Sequence, residues 1–263
     1  MTEQTQNPLL ARLRMPGATF RLPSQGLFYT DGEMDPSVKN GEVEVYPMTT
    51  IDEIIISTPD KLLSGKAIIE VFERCIPQIK KPIKLLARDV DFLMIALRVV
   101  TYGDTMDVNF EHNCDKAKEH TYQINLNALI RETRSVDPTT LSTEYNLTLS
   151  NQQHVSLRPL TYEDMISLYQ ISAMSTDNIT AEDAEKLIVD GLVSVIASVD
   201  GVSDRAMIRQ WVSALPIGIK REIERVAQKV TPWGVKFQVP HKCKDCKTDI
   251  EIGVSANPID FFS

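Results

Sequence analysis

Nothing in this 263-residue chain approaches the roughly 20 apolar residues needed to cross a bilayer, since its strongest run, FLMIAL, is stopped by Arg98. Positive charge is also in short supply. The 28 Lys and Arg stand against 36 Asp and Glu, a formal net charge of −8, which argues against nucleic acid as a partner because that affinity comes largely from Lys and Arg neutralising phosphates. The opening MTEQTQNPLLARLRMPG lacks the apolar centre and the cleavage site of a secretory leader, so the chain is expected to be uncleaved and intracellular. Cysteine and histidine number only four each. In an intracellular chain such cysteines are expected as thiols or metal ligands rather than disulfides. There is no Walker loop, GxSxG, HExxH or GxGxxG. Acids such as Asp52, Glu53, Glu163 and Asp164 fit the first turns of helices, where the dipole favours them. A protein without enzymatic activity is therefore expected.

What the chain does contain is an echo of itself. EVYPMTTIDEI near residue 46 and SLRPLTYEDMI near residue 158 share a strand-like run, Pro-apolar-Thr, then an acidic helix start, with Thr49 and Thr161 in equivalent N-cap positions. Each continues into helical spacing. Ile68, Ile69, Phe72, Cys75 and Ile76 form one stripe, and Leu187, Ile188, Gly191, Leu192, Val195 and Ile196 the other. Cys75, on its stripe, reads as a core residue. DFLMIALRVV, capped by Asp89 or Asp91, is apolar almost all round and is expected at the centre of the core. In the second copy, helices are expected from Arg205 to Leu215 and after Pro216. Both copies end in an aromatic-Gly turn followed by alternation, VVTYGDTMDVNF and KVTPWGVKFQV. Between them lie a connector to about Ser142 and a hairpin of Tyr145 to Leu149 with His154 to Leu157.

Each aromatic-Gly turn leads into a strand, a cysteine loop and a returning strand, MDVNFEHNCDKAKEHTYQINL and VKFQVPHKCKDCKTDIEIGV. Aligning the returning strands on Ile124 and Ile250 sets His120 against Cys246 and Cys114 in the role of Cys243. Cys114, His120, Cys243 and Cys246 would then form the nitrogen and sulfur set of a tetrahedral structural zinc, two ligands from each hairpin. His112 and His241, each two residues before a cysteine, are substitutes for His120 if the geometry differs. A redox role for Cys243 and Cys246 would need a thiolate at a helix N-terminus, whereas this segment reads as strand, turn, strand. The whole is expected to be α+β and internally duplicated, each half a helical bundle-like core plus a zinc-knuckle-like β-hairpin. An extended N-terminal arm covers residues 1–40, the first repeat 41–132 and the second 133–263.

The segment FRLPSQGLFYTDGEMDPSVKNGEVEVYPMTTIDEI, with its L-P-S-x-G-x-x-Y arm and P-M-T turn, the later TYG turn and the cysteine hairpins, resembles the baseplate proteins of T-even-type contractile-tailed phages. In particular it resembles the hub subunits, also described as hub assembly chaperones. That pattern carries C-x-x-C in both hairpins, whereas Cys114 has no cysteine three residues on. The resemblance implies a non-enzymatic protein acting through contacts with hub and tape-measure proteins, with self-association possible. Its expected place is the host cytoplasm during assembly or the tail baseplate of the virion. Leu22, Pro23, Ser24, Gly26, Leu27, Phe28 and Tyr29 would either lie along a partner's groove or sheet edge or fold back on the chain's own core. The alternative reading is a zinc-ribbon adaptor binding nucleic acid or the transcription machinery.

Overall fold

The structure, a computed structural model, describes residues 15–112, 119–139, 141, 145–174, 180–229, 233–243, 246–254 and 261–262. Among the described residues it is a mixed α+β protein of nine α-helices and nine strands, the strands arranged in four small antiparallel sheets. Strand β1 (Ala18–Arg21) pairs antiparallel with β2 (Glu42–Val45), Ala18 facing Val45 and Arg21 facing Glu42. In β2 the period-two alternation turns Val43 and Val45 inward, fully buried, and Glu42 and Glu44 away.

The stretch Leu22 to Tyr29 lies on the chain's own core. Leu22 is fully buried among the core residues, and its N–H donates to Gly41 O at 2.9 Å. Turns then follow, Gln25 N to Leu22 O and Leu27 N to Ser24 O, with Gln25, Gly26 and Phe28 all at positive φ. Gly41, at φ +70, makes this course possible, because a Cβ there would stand 2.6 Å from the backbone of Gln25 and Gly26. The stretch is also held from outside itself. Val136 N donates to Pro23 O at 2.9 Å and Gln25 Nε2 donates to Val136 O at 2.8 Å.

The first helices are α1 (Thr50–Ile56), α2 (Pro59–Leu63) and α3 (Lys66–Cys75). Thr49 caps α1 as expected, its N–H and hydroxyl both donating to Asp52 Oδ2, and Asp52 is paired in turn with Arg74. The stripe of α3 buries Ile68, Val71, Phe72 and Cys75. Burial pushes the Cys75 thiol up to about 12, so it stays neutral.

Helix α4 (Ala87–Tyr102) is buried on every side from Phe92 to Leu97. Full burial of each such side chain contributes about 1.5–3 kcal/mol. One expectation changes here: neither Asp89 nor Asp91 caps α4, which begins after Leu86. Asp89 instead lies in the first turn with no exposure. Its Oδ1 accepts from Ser24 N at 3.0 Å and its Oδ2 from Tyr29 Oη at 2.6 Å, while Tyr29 Oη accepts from Leu86 N at 3.0 Å. The carboxylate thus anchors the folded-back stretch.

Strands β3 (Thr105–Glu111) and β4 (Glu119–Asn125) form a hairpin that leads into α5 (Leu126–Glu132). The expected hairpin of the second half is present as β5 (Asn146–Thr148) and β6 (His154–Leu157). Thr161 then caps α6 (Tyr162–Met174) through Asp164, just as Thr49 caps α1. Helix α7 (Ala181–Val195) ends one residue before the end of its expected stripe. Ile196 begins β7 (Ile196–Val199), which adds antiparallel to β6 as a third strand. Helices α8 (Arg205–Ser213) and α9 (Ile217–Lys229) complete a second core around Leu157, Leu192, Ile196, Ile208 and Ile223.

The last hairpin, β8 (Gln238–Lys242) with β9 (Asp249–Gly253), returns to the first core, where Val235, Val254, Phe261 and Phe262 are buried with the residues of α3 and α4. The packing therefore joins the C-terminal hairpin to the first core.

Two outcomes follow. Gly41→Ala places a non-glycine residue in a left-handed conformation, which costs about 1–3 kcal/mol, and also drives its Cβ into backbone. In urea unfolding it is expected to lose more stability than Gly32→Ala, whose φ is also positive but whose Cβ would meet nothing within 4 Å. Burial raises the Asp89 carboxyl to about 6 from an unfolded value near 3.8. The folded state then holds the proton more tightly, so this group's contribution is full below about pH 4 and falls as pH rises through 6, by on the order of 2–3 kcal/mol. Asp91, also raised to about 6 by burial, acts in the same direction. Urea unfolding between pH 4 and pH 7 should show a smaller decline for Asp89→Asn than for the natural chain.

Candidate metal centre

The two cysteine hairpins lie side by side, with aromatic rings in contact between them. Tyr122 of β4 and His241 of β8 have ring centroids 4.2 Å apart, and Phe110 of β3 meets the same His241 at 6.2 Å, edge on. Within the first hairpin His120 faces Phe110 across the strands and stacks on it at 5.5 Å. Each strand alternates its side chains, so Phe110 and Tyr122 project from the same face of their hairpin, the face that β8 meets.

Just beyond β3, His112 reaches the tip of the second hairpin. Its Nε2 lies 3.1 Å from Cys246 Sγ. The ligand atoms of His112, Cys243 and Cys246 all lie within 4.8 Å of one another. Cys243 is buried, Cys246 partly exposed and His112 half-buried. A tight turn sets the two cysteines: Cys243 N donates to Thr248 O, Lys247 N donates to Cys243 O, both at 3.0 Å, and Lys247 takes φ +62. Cys246 Sγ is 3.3 Å from Thr248 Oγ1. Hydrogen bonding by Thr248, then by His112, pulls the Cys246 thiol down to about 6. One imidazole and two thiols in this arrangement can donate to a borderline-soft cation. Neither cysteine lies at a helix N-terminus, the setting a redox pair uses.

Of the four ligands read from the sequence, the structure brings Cys243 and Cys246 together. His112 joins them, and His120 faces Phe110 instead. Cys114 lies outside the described residues. The register explains the exchange. Phe110 faces His120 and His241 faces Ile250, so by cross-strand position His120 corresponds to Ile250, not to Cys246. A better guide was available at the other end of each strand. His112 and Cys243 each stand nine residues after a turn glycine, Gly103 and Gly234, and those glycines share a positive φ, +97 and +104. Counting from the turns would have found His112 directly.

The residues of the N-terminal stretch meet the chain's own body. Leu22, Pro23 and Ser24 are buried. Gly26 sits close to Gly41, Leu27 packs near Leu86 and Trp233, and Tyr29 is tied to Asp89. Phe28 stays 39% exposed and touches the Tyr145 ring at 5.4 Å.

Comparison of the sequence with known protein families matches residues 30–263 to a family described as T4 bacteriophage base plate protein. The class this defines is a bacteriophage tail protein. Since the match spans most of its length, the chain belongs to the T4 bacteriophage base plate protein family. No curated protein and no solved structure matches it significantly.

If the hairpins stabilise one another through these rings, Tyr122→Ala should cost roughly 1–3 kcal/mol, less than truncation of a fully buried ring. Hydrogen exchange should also quicken in β8 and β9, far from the substitution in sequence. Faster exchange confined to β3 and β4 would show that the hairpins stand independently.

Proposed function

We propose that this base plate family protein is a subunit of the baseplate hub or a factor that assembles it, acting through protein contacts rather than catalysis. The family match over residues 30–263 carries the reading. The finer assignment, with hub and tape-measure proteins as partners, rests on the L-P-S-x-G-x-x-Y stretch, the P-M-T turn and the paired hairpins. Apolar side chains left on helix surfaces support contact with other proteins. Ile51 and Ile54, 59% and 63% exposed, share a face of α1, and Met165 and Tyr169, 39% and 57% exposed, share a face of α6. No helix among the described residues is long and apolar enough to cross a membrane.

The same proposal includes duplication of an ancestral half. Its support is the repeated Thr-Asp cap, Thr49 with Asp52 and Thr161 with Asp164. The left-handed turn glycine before each hairpin adds to it. The second half departs from the first by inserting β7 and by sending its hairpin to the first core.

Co-expression with the hub and tape-measure proteins of the same phage should give a complex on size exclusion, and Ile51→Asp with Ile54→Asp should weaken it without unfolding the chain. Elution as a lone monomer at high concentration in every combination would overturn the reading. Mass spectrometry of purified virions separates the two roles, since a hub subunit is retained and an assembly factor is lost.

A further inference from the structure

We propose that His112, Cys243 and Cys246 bind a zinc ion that fastens the first cysteine hairpin to the second. The inference is independent of the hub assignment, because it rests on the donor atoms alone.

The fit is chemical and geometric. Zinc takes nitrogen at about 2.0–2.1 Å and sulfur at about 2.3 Å, which corresponds to tetrahedral edges of about 3.5–3.8 Å. Donor atoms within 4.8 Å of one another, one edge at 3.1 Å, bracket those edges and need only small shifts to close on an ion. Two sulfurs and an imidazole select zinc over magnesium or calcium, which prefer oxygen. Much of the ordering cost is already met in the fold. The turn bonds between Cys243, Lys247 and Thr248 hold the two sulfurs near each other. The ring contacts of Phe110 and Tyr122 with His241 bring His112 over them. Cys243 is buried while Cys246 is partly exposed, so the site has both a shielded ligand and a route for the ion to enter.

Position gives the site its purpose. His112 and Cys246 are 134 residues apart in sequence. An ion held by both closes a long loop, which restricts the unfolded chain as a cross-link does and makes metal binding part of folding. Zinc held within one hairpin would stiffen a single tip. This site joins the two.

The test is elemental analysis of the full chain purified without chelator. About one zinc per chain is expected in the natural protein, the stoichiometry of a single structural site. His112→Ala and Cys246→Ser should each lower retention at least tenfold, while His120→Ala keeps it. Cys246 is partly exposed, so its serine variant can be checked for a natural circular dichroism spectrum before its metal content is read. Cobalt reconstitution should give thiolate-to-metal charge-transfer absorption in the natural chain and none in Cys246→Ser. Chelation should lower the melting temperature of the natural chain and leave that of Cys246→Ser unchanged. The proposal is overturned if the natural chain binds neither zinc nor cobalt, if His112→Ala retains full zinc, or if Cys243 and Cys246 are found joined as a disulfide in fresh extracts.

Discussion

A carboxylate with no access to water must be hydrogen-bonded or it costs several kcal/mol, and Asp89 meets that requirement with donors from a segment 60 residues earlier. Ser24 N and Tyr29 Oη both donate to it, and Tyr29 Oη also accepts from Leu86 N at the start of α4. Lifting the Leu22 to Tyr29 stretch from the core would strand a buried acid at the head of the central helix as well as expose Leu22. The stretch therefore belongs to the fold. Whatever surface it offers a partner is limited to what this seat leaves outside, chiefly Phe28, which is itself held in a left-handed conformation against Tyr145.

The same economy ties the two halves together. Residues 85–87, where α4 begins, exchange backbone hydrogen bonds with the turn that opens α6: Ala87 N to Leu160 O at 2.8 Å and Tyr162 N to Leu85 O at 2.7 Å. Gly234 and Arg134 pair through both their amides, and Trp233 Nε1 donates to Tyr145 Oη at 3.1 Å. The glycine at 234 is forced at that point, since its φ is +104 and a Cβ would stand 3.0 Å from the Arg88 side chain. These bonds turn the chain back after α9 and deliver the last hairpin to the first core. The segments before and after α5 are thus interlocked.

Local signals were legible wherever the physics was local. Threonine caps, the all-round burial of α4 and the aromatic-Gly turns are set by neighbours a few residues away, and each stands where the pattern puts it, while the stripe of α3 holds at Ile68, Phe72 and Cys75 but leaves Ile69 half-buried and buries Val71. The role of Asp89 was not legible, because an acid in a helix's first turn looks the same whether it serves the dipole or a distant tyrosine. Strand β7 was hidden for a related reason. Val195 and Ile196 continue the helical spacing of α7, and only the open edge of β6 decides that Ile196 leaves it. At the cysteine hairpins the pattern sets His120 against Cys246, whereas in the fold it is His112 that stands beside Cys246. The returning strands offer no reference point common to both hairpins, whereas the left-handed glycines Gly103 and Gly234 do.

A two-stranded hairpin is marginal alone in water, and both cysteine hairpins are solvated along much of one face. Their bases are secured by Met106 and Ile124 in one and by Val235, Ile252 and Val254 in the other, all buried. Beyond these bases the described strand residues are at best half-buried, Val108 and Phe110 in β3 and Val239 and His241 in β8, so apolar anchoring is concentrated at the bases. Ring contacts at Tyr122 and His241 occupy the middle of the shared face, and the imidazole and two sulfurs stand beyond them at its end. Along the shared face the order runs from apolar base to aromatic middle to the His112, Cys243 and Cys246 donors. His112 from one hairpin and Cys243 and Cys246 from the other meet beyond the reach of that apolar packing.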